Sequence, residues 1–300
     1  MTINLDLLLK AYASGIFPMS DARDDPETFW VEPKTRAVLP LDGFHMSRSL
    51  RKTIRSDRFL VTADTAFADV IAICAESASD RQETWINAEI EEAFCALHEQ
   101  GHAHSIECWT MDDEGHKTLV GGLYGLEIGG AFCGESMFSR ASDASKVALA
   151  WLVARLIVGG YKLLDCQFMT DHLASLGAIE ISQEEYIKRL RAAQMPYSPV
   201  FAEIRSSSVS TASGAARGAV SGTGRTAGGE VGTGATRGVV GTGSTVPDPA
   251  VPLVSPPSFS ALDGLLPRLE EDERGSVAST PSGASASPGK LISQLLTQTS

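Results

Sequence analysis

Cysteine is scarce in this chain. Cys74, Cys95, Cys108, Cys133 and Cys166 are all it has, an odd number with no CxxC pair. That excludes a disulfide framework and reads as reduced, mostly buried thiols of a cytoplasmic protein. No apolar run is long enough for a membrane span: the most apolar stretch, ALAWLVARLIVGG, is short and contains Arg155, so it is read as a core helix. The N-terminal MTINLDLLLKAYASG lacks a basic start and an uninterrupted apolar core, and is not expected to be a signal peptide. Positive charge is also short, with 25 Lys+Arg against 37 Asp+Glu and a net charge of −12. An acidic chain is a poor general nucleic-acid binder, so any nucleic-acid site must be a local basic patch.

Aromatics are missing from one region. From Ser206 to Ser300, Phe259 is the only aromatic, and 50 of the 95 residues are Gly, Ser, Thr or Pro. Such a composition buries too little apolar surface to offset its ordering entropy, so residues 206–300 are expected to be a disordered tail whose removal after about Arg205 leaves a folded protein. Two short apolar clusters in it, LLPRL and LISQLL, leave room for a weak docking role.

The rest reads as mixed α/β. Asn4 caps a first helix that Gly15 stops, and Asn87 caps another running to about Gln100. FWVEPKTRAVLPL has strand-like residues but two prolines, which suggests an irregular or edge segment. HAHSIECWT alternates as a strand, and LVGGLYGLE and AFCGESMF form a hairpin. Ser142 is the expected cap of a long helix from Asp143 to Val158, followed by the strand YKLLDCQF. Ser182 and Glu185 form a capping box for a last helix. On MSRSLRKTIRSDRF, helical spacing puts Arg48, Arg51, Lys52 and Arg55 on one face, which by charge alone fits a solvated surface.

Three short motifs invite catalytic readings. His98-Glu99-Gln100-Gly101-His102 matches HExxH, but Gly101 should stop the helix before His102, so no zinc site is expected. Gly134-Glu135-Ser136 starts like a nucleophile elbow, but Phe138 stands where the closing glycine belongs. Cys166 alternates with its strand neighbours, so it is expected to face the core rather than pair with His172. Asp165 and Gln167, at i and i+2 of a strand, share a face between apolar residues, where a carboxylate and a carboxamide are costly unless partnered. Glu135 adds a third polar group on the neighbouring hairpin.

These residues lie in blocks that resemble, in order, the leucyl/phenylalanyl-tRNA–protein transferases: AYASGIFPM, WVEPKTRAVLP, FHMSRSLRK, TWI, LHEQGHAHSIECW, LVGGLYG, FCGESMFSRASDASKVAL, LLDCQ and HLASLGA. The resemblance implies a small N-terminal domain (1–60), an N-acetyltransferase-like catalytic domain (61–205) and the tail (206–300). It implies an aminoacyltransferase without metal or coenzyme. The donor would be aminoacyl-tRNA carrying Leu, Phe or, less well, Met. The acceptor would be a protein with N-terminal Arg or Lys, marked in this way for degradation. Asp165 and Gln167 would meet the acceptor amine, Gln167 orienting it and Asp165 polarising it or taking its proton, while Glu135 holds the aminoacyl end. Phe132, Met137, Leu149 and Leu164 would line the side-chain pocket. Trp30 and Trp85 would stack on the terminal adenosine, although Val31 stands where the family commonly has a second tryptophan. Arg48, Arg51, Lys52 and Arg55 would contact the acceptor stem.

Two rivals stay open: an acetyl-CoA-dependent acetyltransferase on the same fold and a non-catalytic tRNA-binding adaptor. The lead-in to the long helix, FSRASDASK, lacks the glycines a pyrophosphate turn needs, which counts against the first.

Overall fold

The computed structural model describes residues 3–76, 84–195, 256–266 and 287–299. The N-terminal part holds α1 (Leu5–Ala13) and a small two-stranded sheet of β1 (Phe17–Met19) and β2 (Phe29–Val31). Asn4 caps α1 by accepting the Leu7 N–H at 2.9 Å. Gly15, at φ 87°, turns the chain out of the helix in a conformation that disfavours other residues.

The centre is a seven-stranded sheet in the order β4-β5-β6-β7-β8-β3-β9, built from β3 (Thr35–Val38), β4 (Leu60–Ala63), β5 (Ala103–Met111), β6 (Lys117–Ile128), β7 (Ala131–Ser139), β8 (Leu163–Gln167) and β9 (Ile179–Ser182). Only β7 and β8 pair in parallel, and the helix between them, α5 (Ala144–Val158), is the crossover that such a pair requires. This helix is apolar all round because it is buried all round, with 12 of its 15 residues enclosed. The opposite face of the sheet carries α3 (Phe67–Cys74) and α4 (Ala88–Glu99), whose Phe67, Val70, Ile90 and Phe94 form a second core with Tyr124 and Leu126. Three more helices, α2 (Arg48–Arg55), α6 (Asp171–Ser175) and α7 (Gln183–Gln194), are capped by Ser47, Thr170 and Ser182.

The segment FWVEPKTRAVLPL divides: β2 is an edge, being one of the two strands of the small sheet, but β3 is interior. β3 lies between β8 and β9, because Pro33 falls in the break after β2 and Pro40 beyond the end of β3, so neither proline interrupts a ladder. The long helix begins one residue later than expected, and its cap position is Asp143, in the left-handed region at φ 69°, rather than Ser142.

Two tail segments correct the view that residues 206–300 have no core to contribute. Phe259 is 5% exposed and stacks between His104, at 4.1 Å between ring centroids, and Phe132, at 5.7 Å. Arg155 donates to the Phe259 carbonyl at 3.1 Å and pairs with Asp263. Beyond Ser287 runs a further helix, α8 (Pro288–Gln298), which buries Leu291, Ile292 and Leu296 against α2 and α5. The clusters LLPRL and LISQLL overlap these two segments, and the docking that their composition allowed is seen on the chain itself. Among the described residues, no helix is long and apolar enough to cross a membrane.

Candidate active site

The site forms where two neighbouring strands part. β7 and β8 are paired up to Cys133 opposite Asp165, and the pairing goes no further. On the other side of β7, Gly125 faces Gly134 while Tyr124 faces Ser136, which leaves Glu135 as the extra residue of a β-bulge. A bulge re-aims the side chain it carries, and here that side chain is a carboxylate beside the gap. On β8, the Phe168 N–H bonds back to the Cys166 carbonyl at 2.7 Å, so Gln167 is the corner of a three-residue turn at φ 55°. A non-glycine residue in this region is strained, and such strain persists only where its surroundings impose it. The imposing contacts are visible: the Gln167 N–H donates to Asp165 Oδ1 at 2.9 Å, and its side-chain Nε2 donates to Glu135 Oε1 at 3.1 Å.

Behind this pair lies a buried ion pair. Arg36 of β3 is 1% exposed and Asp165 is 0% exposed. The guanidinium grips the carboxylate through Nε, 2.9 Å from Oδ1, and Nη2, 2.7 Å from Oδ2. Tyr186 adds a hydroxyl at 2.9 Å from Oδ2. Arg36 also donates to the Gly15 carbonyl at 3.0 Å, and its guanidinium carbon lies over the rings of Phe17, at 4.7 Å, and Tyr186, at 4.2 Å. One side chain thereby ties the N-terminal segment, β3, β8 and α7 together. Burial opposes the Arg36 charge, but the Asp165 carboxylate outweighs it and holds the guanidinium's pKa above its ordinary value.

Glu135 is the poised group. Burial pushes its carboxyl up to about 8, and the Asp165 charge adds to this against the pull of Tyr12, Arg36 and Gln167. The Tyr12 hydroxyl faces Glu135 and closes no hydrogen bond of ordinary geometry. Beside these groups opens a cavity of about 480 Å³, lined by Glu135 and Gln167 and by apolar side chains including Phe17, Met137, Leu149, Leu164 and Phe168. That is the size and character of a pocket for a small amphiphilic group with its polar end fixed by a few convergent atoms.

Comparison with known proteins identifies this architecture. The family model described as leucyl/phenylalanyl-tRNA protein transferase matches residues 38–191, and the model of its N-terminal domain matches residues 1–34. The chain belongs to this family. A leucyl/phenylalanyl-tRNA–protein transferase of Zymomonas mobilis is 64% identical over 195 residues, covering 65% of this chain and 71% of the relative. One from Rhizorhabdus wittichii is 64% identical over 191 residues, covering 64% and 75%, and one from Novosphingobium aromaticivorans is 61% identical over 193 residues, covering 64% and 72%. Among solved structures, L-PGS from Bacillus licheniformis overlaps 55% of this chain and 53% of its own at 13% identity and a TM-score of 0.32, a likeness too slight to build on.

Within this family member, the structure gathers Glu135, Gln167, Trp85, Met137, Leu149 and Leu164 around the cavity. It sets Asp165 behind the wall rather than in it. Phe132 does not line the cavity: it is fully buried and stacked under Phe259, on the face of the sheet that the tail segment covers. Trp30 is 42% exposed on β2, opposite Pro18, and is not part of the lining. Arg48, Arg51, Lys52 and Arg55 are exposed along α2, while Leu50 and Ile54 turn inward.

Gln167 corrects an expectation: the turn there takes its side chain to the cavity rather than to the face of Asp165. Cys166 keeps the strand alternation, partly buried, packed against the core on the side of Leu164 and lining the cavity with His172. Burial and the neighbouring Asp165 push its thiol far up, which leaves it a poor nucleophile. The HExxH match is divided as expected: α4 ends at Glu99, Gly101 sits at φ 78°, and His98 bonds the Ala103 carbonyl at 2.8 Å, so the two histidines share no helix face.

Sequence reasoning missed Arg36, Tyr186, Tyr12 and Phe17, and weighed His172 only as a partner for Cys166. Arg36, Tyr12 and Phe17 fall in the matching blocks and Tyr186 in none of them; what makes them functional candidates is proximity across the chain, as in Arg36 with Asp165.

Proposed function

We propose that this chain moves leucine or phenylalanine, and less readily methionine, from aminoacyl-tRNA to the N-terminal Arg or Lys of an acceptor protein in the cytoplasm, with Glu135 and Gln167 as the groups that touch the reacting atoms. The observation that carries the reading is the Gln167–Glu135 hydrogen bond at the lip of an apolar cavity. An aminoacyl ester is already activated, so the reaction is aminolysis and calls for a proton acceptor rather than a metal or coenzyme.

The amine nitrogen attacks the ester carbonyl carbon and forms the new C–N bond. Gln167 spends its Nε2 on Glu135, which leaves its carbonyl oxygen to accept an amine N–H and aim the lone pair. Glu135 takes the amine proton. Collapse of the tetrahedral intermediate breaks the C–O bond to the ribose, and Glu135 returns the proton to the leaving oxygen. A carboxyl held at about 8 can perform both halves near neutral pH. The resemblance to the family suggests Asp165 for the proton. Its oxygens are already engaged by Arg36, Tyr186 and the Gln167 N–H, which suits it to positioning Gln167.

The apolar walls admit the donor's side chain by burial and disfavour polar ones through desolvation. Met137→Ala removes methylenes from that wall, and is expected to raise the Phe-over-Leu ratio of kcat/KM by about tenfold; competition between the two charged tRNAs measures it. On α2, replacing Arg48, Arg51, Lys52 and Arg55 by Ala is expected to weaken tRNA binding and to flatten its salt dependence by roughly one unit of log–log slope for each phosphate left unneutralised. An unchanged slope would make the patch plain solvated surface.

The acetyl-CoA reading fares worse. At the start of α5 the Ser145 N–H is given to Ser139 Oγ and the acidic Asp143 stands at the cap, an arrangement that repels a pyrophosphate. The direct test is to incubate the chain with charged leucyl-tRNA and a peptide beginning with Arg and to look for the extended peptide by mass spectrometry. Binding of charged tRNA without extension would favour the non-catalytic adaptor.

A further inference from the structure

The tail's second anchor sits beneath the most basic helix of the molecule. α2 is only eight residues long and carries Arg48, Arg51, Lys52 and Arg55. Cations three and four residues apart repel, and a helix this short is not stable by itself in water. It therefore depends on what lies under Leu50 and Ile54. Part of that support is α5, and part is α8, which brings Leu291, Ile292 and Leu296 into the same core. The junction is close. The Gly289 N–H donates to Asp57 Oδ1 at 2.8 Å, just past the end of α2, and a Cβ added at Gly289 would lie 1.9 Å from the Ile54 carbonyl oxygen. Asp57 itself is held at φ 47°, so the chain leaves α2 through a conformation that this hydrogen bond helps to fix.

We propose that α8 is a brace for α2: it fixes the basic helix in the geometry that meets the tRNA phosphates, and so raises tRNA affinity without touching tRNA. The proposal rests on α2 being the tRNA-contacting helix. The chemistry of α8 favours a brace over a shield. Its one charged side chain is Lys290, so it offers no carboxylate to compete with phosphates for the basic face. The first anchor, Phe259 with Asp263 on Arg155, keeps the segment tethered nearby and raises the effective concentration of α8 at its seat.

The test uses the full chain with Gly289→Val, which cannot seat against the Ile54 carbonyl, and Ile292→Asp as a second way to unseat the helix. Three quantities are compared with the unsubstituted chain: the Kd for tRNA, backbone hydrogen exchange along α2, and kcat/KM with phenylalanyl-adenosine, a donor without an acceptor stem. Both variants are expected to weaken tRNA binding on the order of tenfold, to speed exchange in α2, and to leave phenylalanyl-adenosine turnover unchanged. Unaltered exchange in α2, or unaltered tRNA affinity, overturns the brace. Equal loss with both donors also overturns it, since α8 would then support the whole domain. Tighter tRNA binding would reveal a shield instead. If the unsubstituted chain turns over neither donor, the proposed activity fails while exchange still reports on the seating of α8.

Discussion

Arg36→Met is expected to destabilise the protein by about 3–5 kcal/mol, because it leaves the Asp165 carboxylate buried with its cationic partner gone. For a domain of this size that corresponds to a fall in melting temperature on the order of 10 °C. The size of the effect follows from enclosure. Arg36 and Asp165 are 1% and 0% exposed, so water cannot take the place of the missing guanidinium. The same substitution removes a donor to the Gly15 carbonyl and the cation stacked on Phe17 and Tyr186, which loosens the N-terminal segment against the cavity. Adding Asp165→Leu in the Arg36→Met background is expected to return most of the stability, since paired apolar groups can replace a buried ion pair, but not the activity, since Gln167 loses the carboxylate that holds its backbone N–H. Thermal melts and transfer assays on the two variants decide it; an unchanged melting temperature in Arg36→Met would show that the pair contributes nothing. For the same reason Asp165→Ala is a poor probe of chemistry, because it strands a buried guanidinium.

Glu135→Gln is the cleaner probe. It keeps a side-chain oxygen for the Gln167 Nε2 and removes the proton acceptor. Loss of a positioned general base costs about 10²–10⁴ in rate, and that is the expected drop in kcat. Two pH signatures separate it from simple disruption. In the unsubstituted chain, kcat/KM is expected to rise as pH climbs through about 8 and Glu135 ionises, and in the variant only the acceptor amine's own limb is expected to remain. Stability carries the opposite sign. The Glu135 carboxyl is raised from 4.5 to about 8 in the folded chain, so its contribution is complete below pH 4.5 and is lost as pH rises through 8. The unsubstituted chain is therefore expected to lose stability over that interval more steeply than Glu135→Gln. A variant with near-normal kcat would remove Glu135 from the proton path.

Much of the local structure is legible in the sequence because its causes are local. Asn4, Asn87 and Ser182 start the helices their side chains can cap, each accepting the N–H three residues on. Gly101 separates the histidines of HExxH with no help from elsewhere. The misreadings share a different cause. β3 reads as an edge because two prolines flank it, and only the arrival of β8 and β9 on either side makes it interior. Gln167 reads as sharing the face of Asp165 because a strand alternates, and the alternation ends where Asp165 and Glu135 hold Gln167 in a strained turn that brings its side chain to the cavity.

The tail shows the division most plainly. Composition sets its average correctly as poor in apolar groups, but an average carries no information about where a single Phe259 or one apolar turn of helix will find a seat. That seat is assembled from His104, Phe132, Arg155 and Ile54, which no sequence window brings together. By itself the sequence determined the caps at Asn4, Asn87 and Ser182, the strand order of the hairpin, the family, and the residue types available for aminolysis, since each depends on neighbours in the chain or on ordered motifs. Tertiary structure alone decided which carboxylate is free to act. Asp165 and Glu135 are the same kind of group until folding surrounds one with Arg36 and Tyr186 and leaves the other at a cavity with its charge poorly solvated; a carboxylate's chemistry is set by its partners and its access to water, and both are products of the fold.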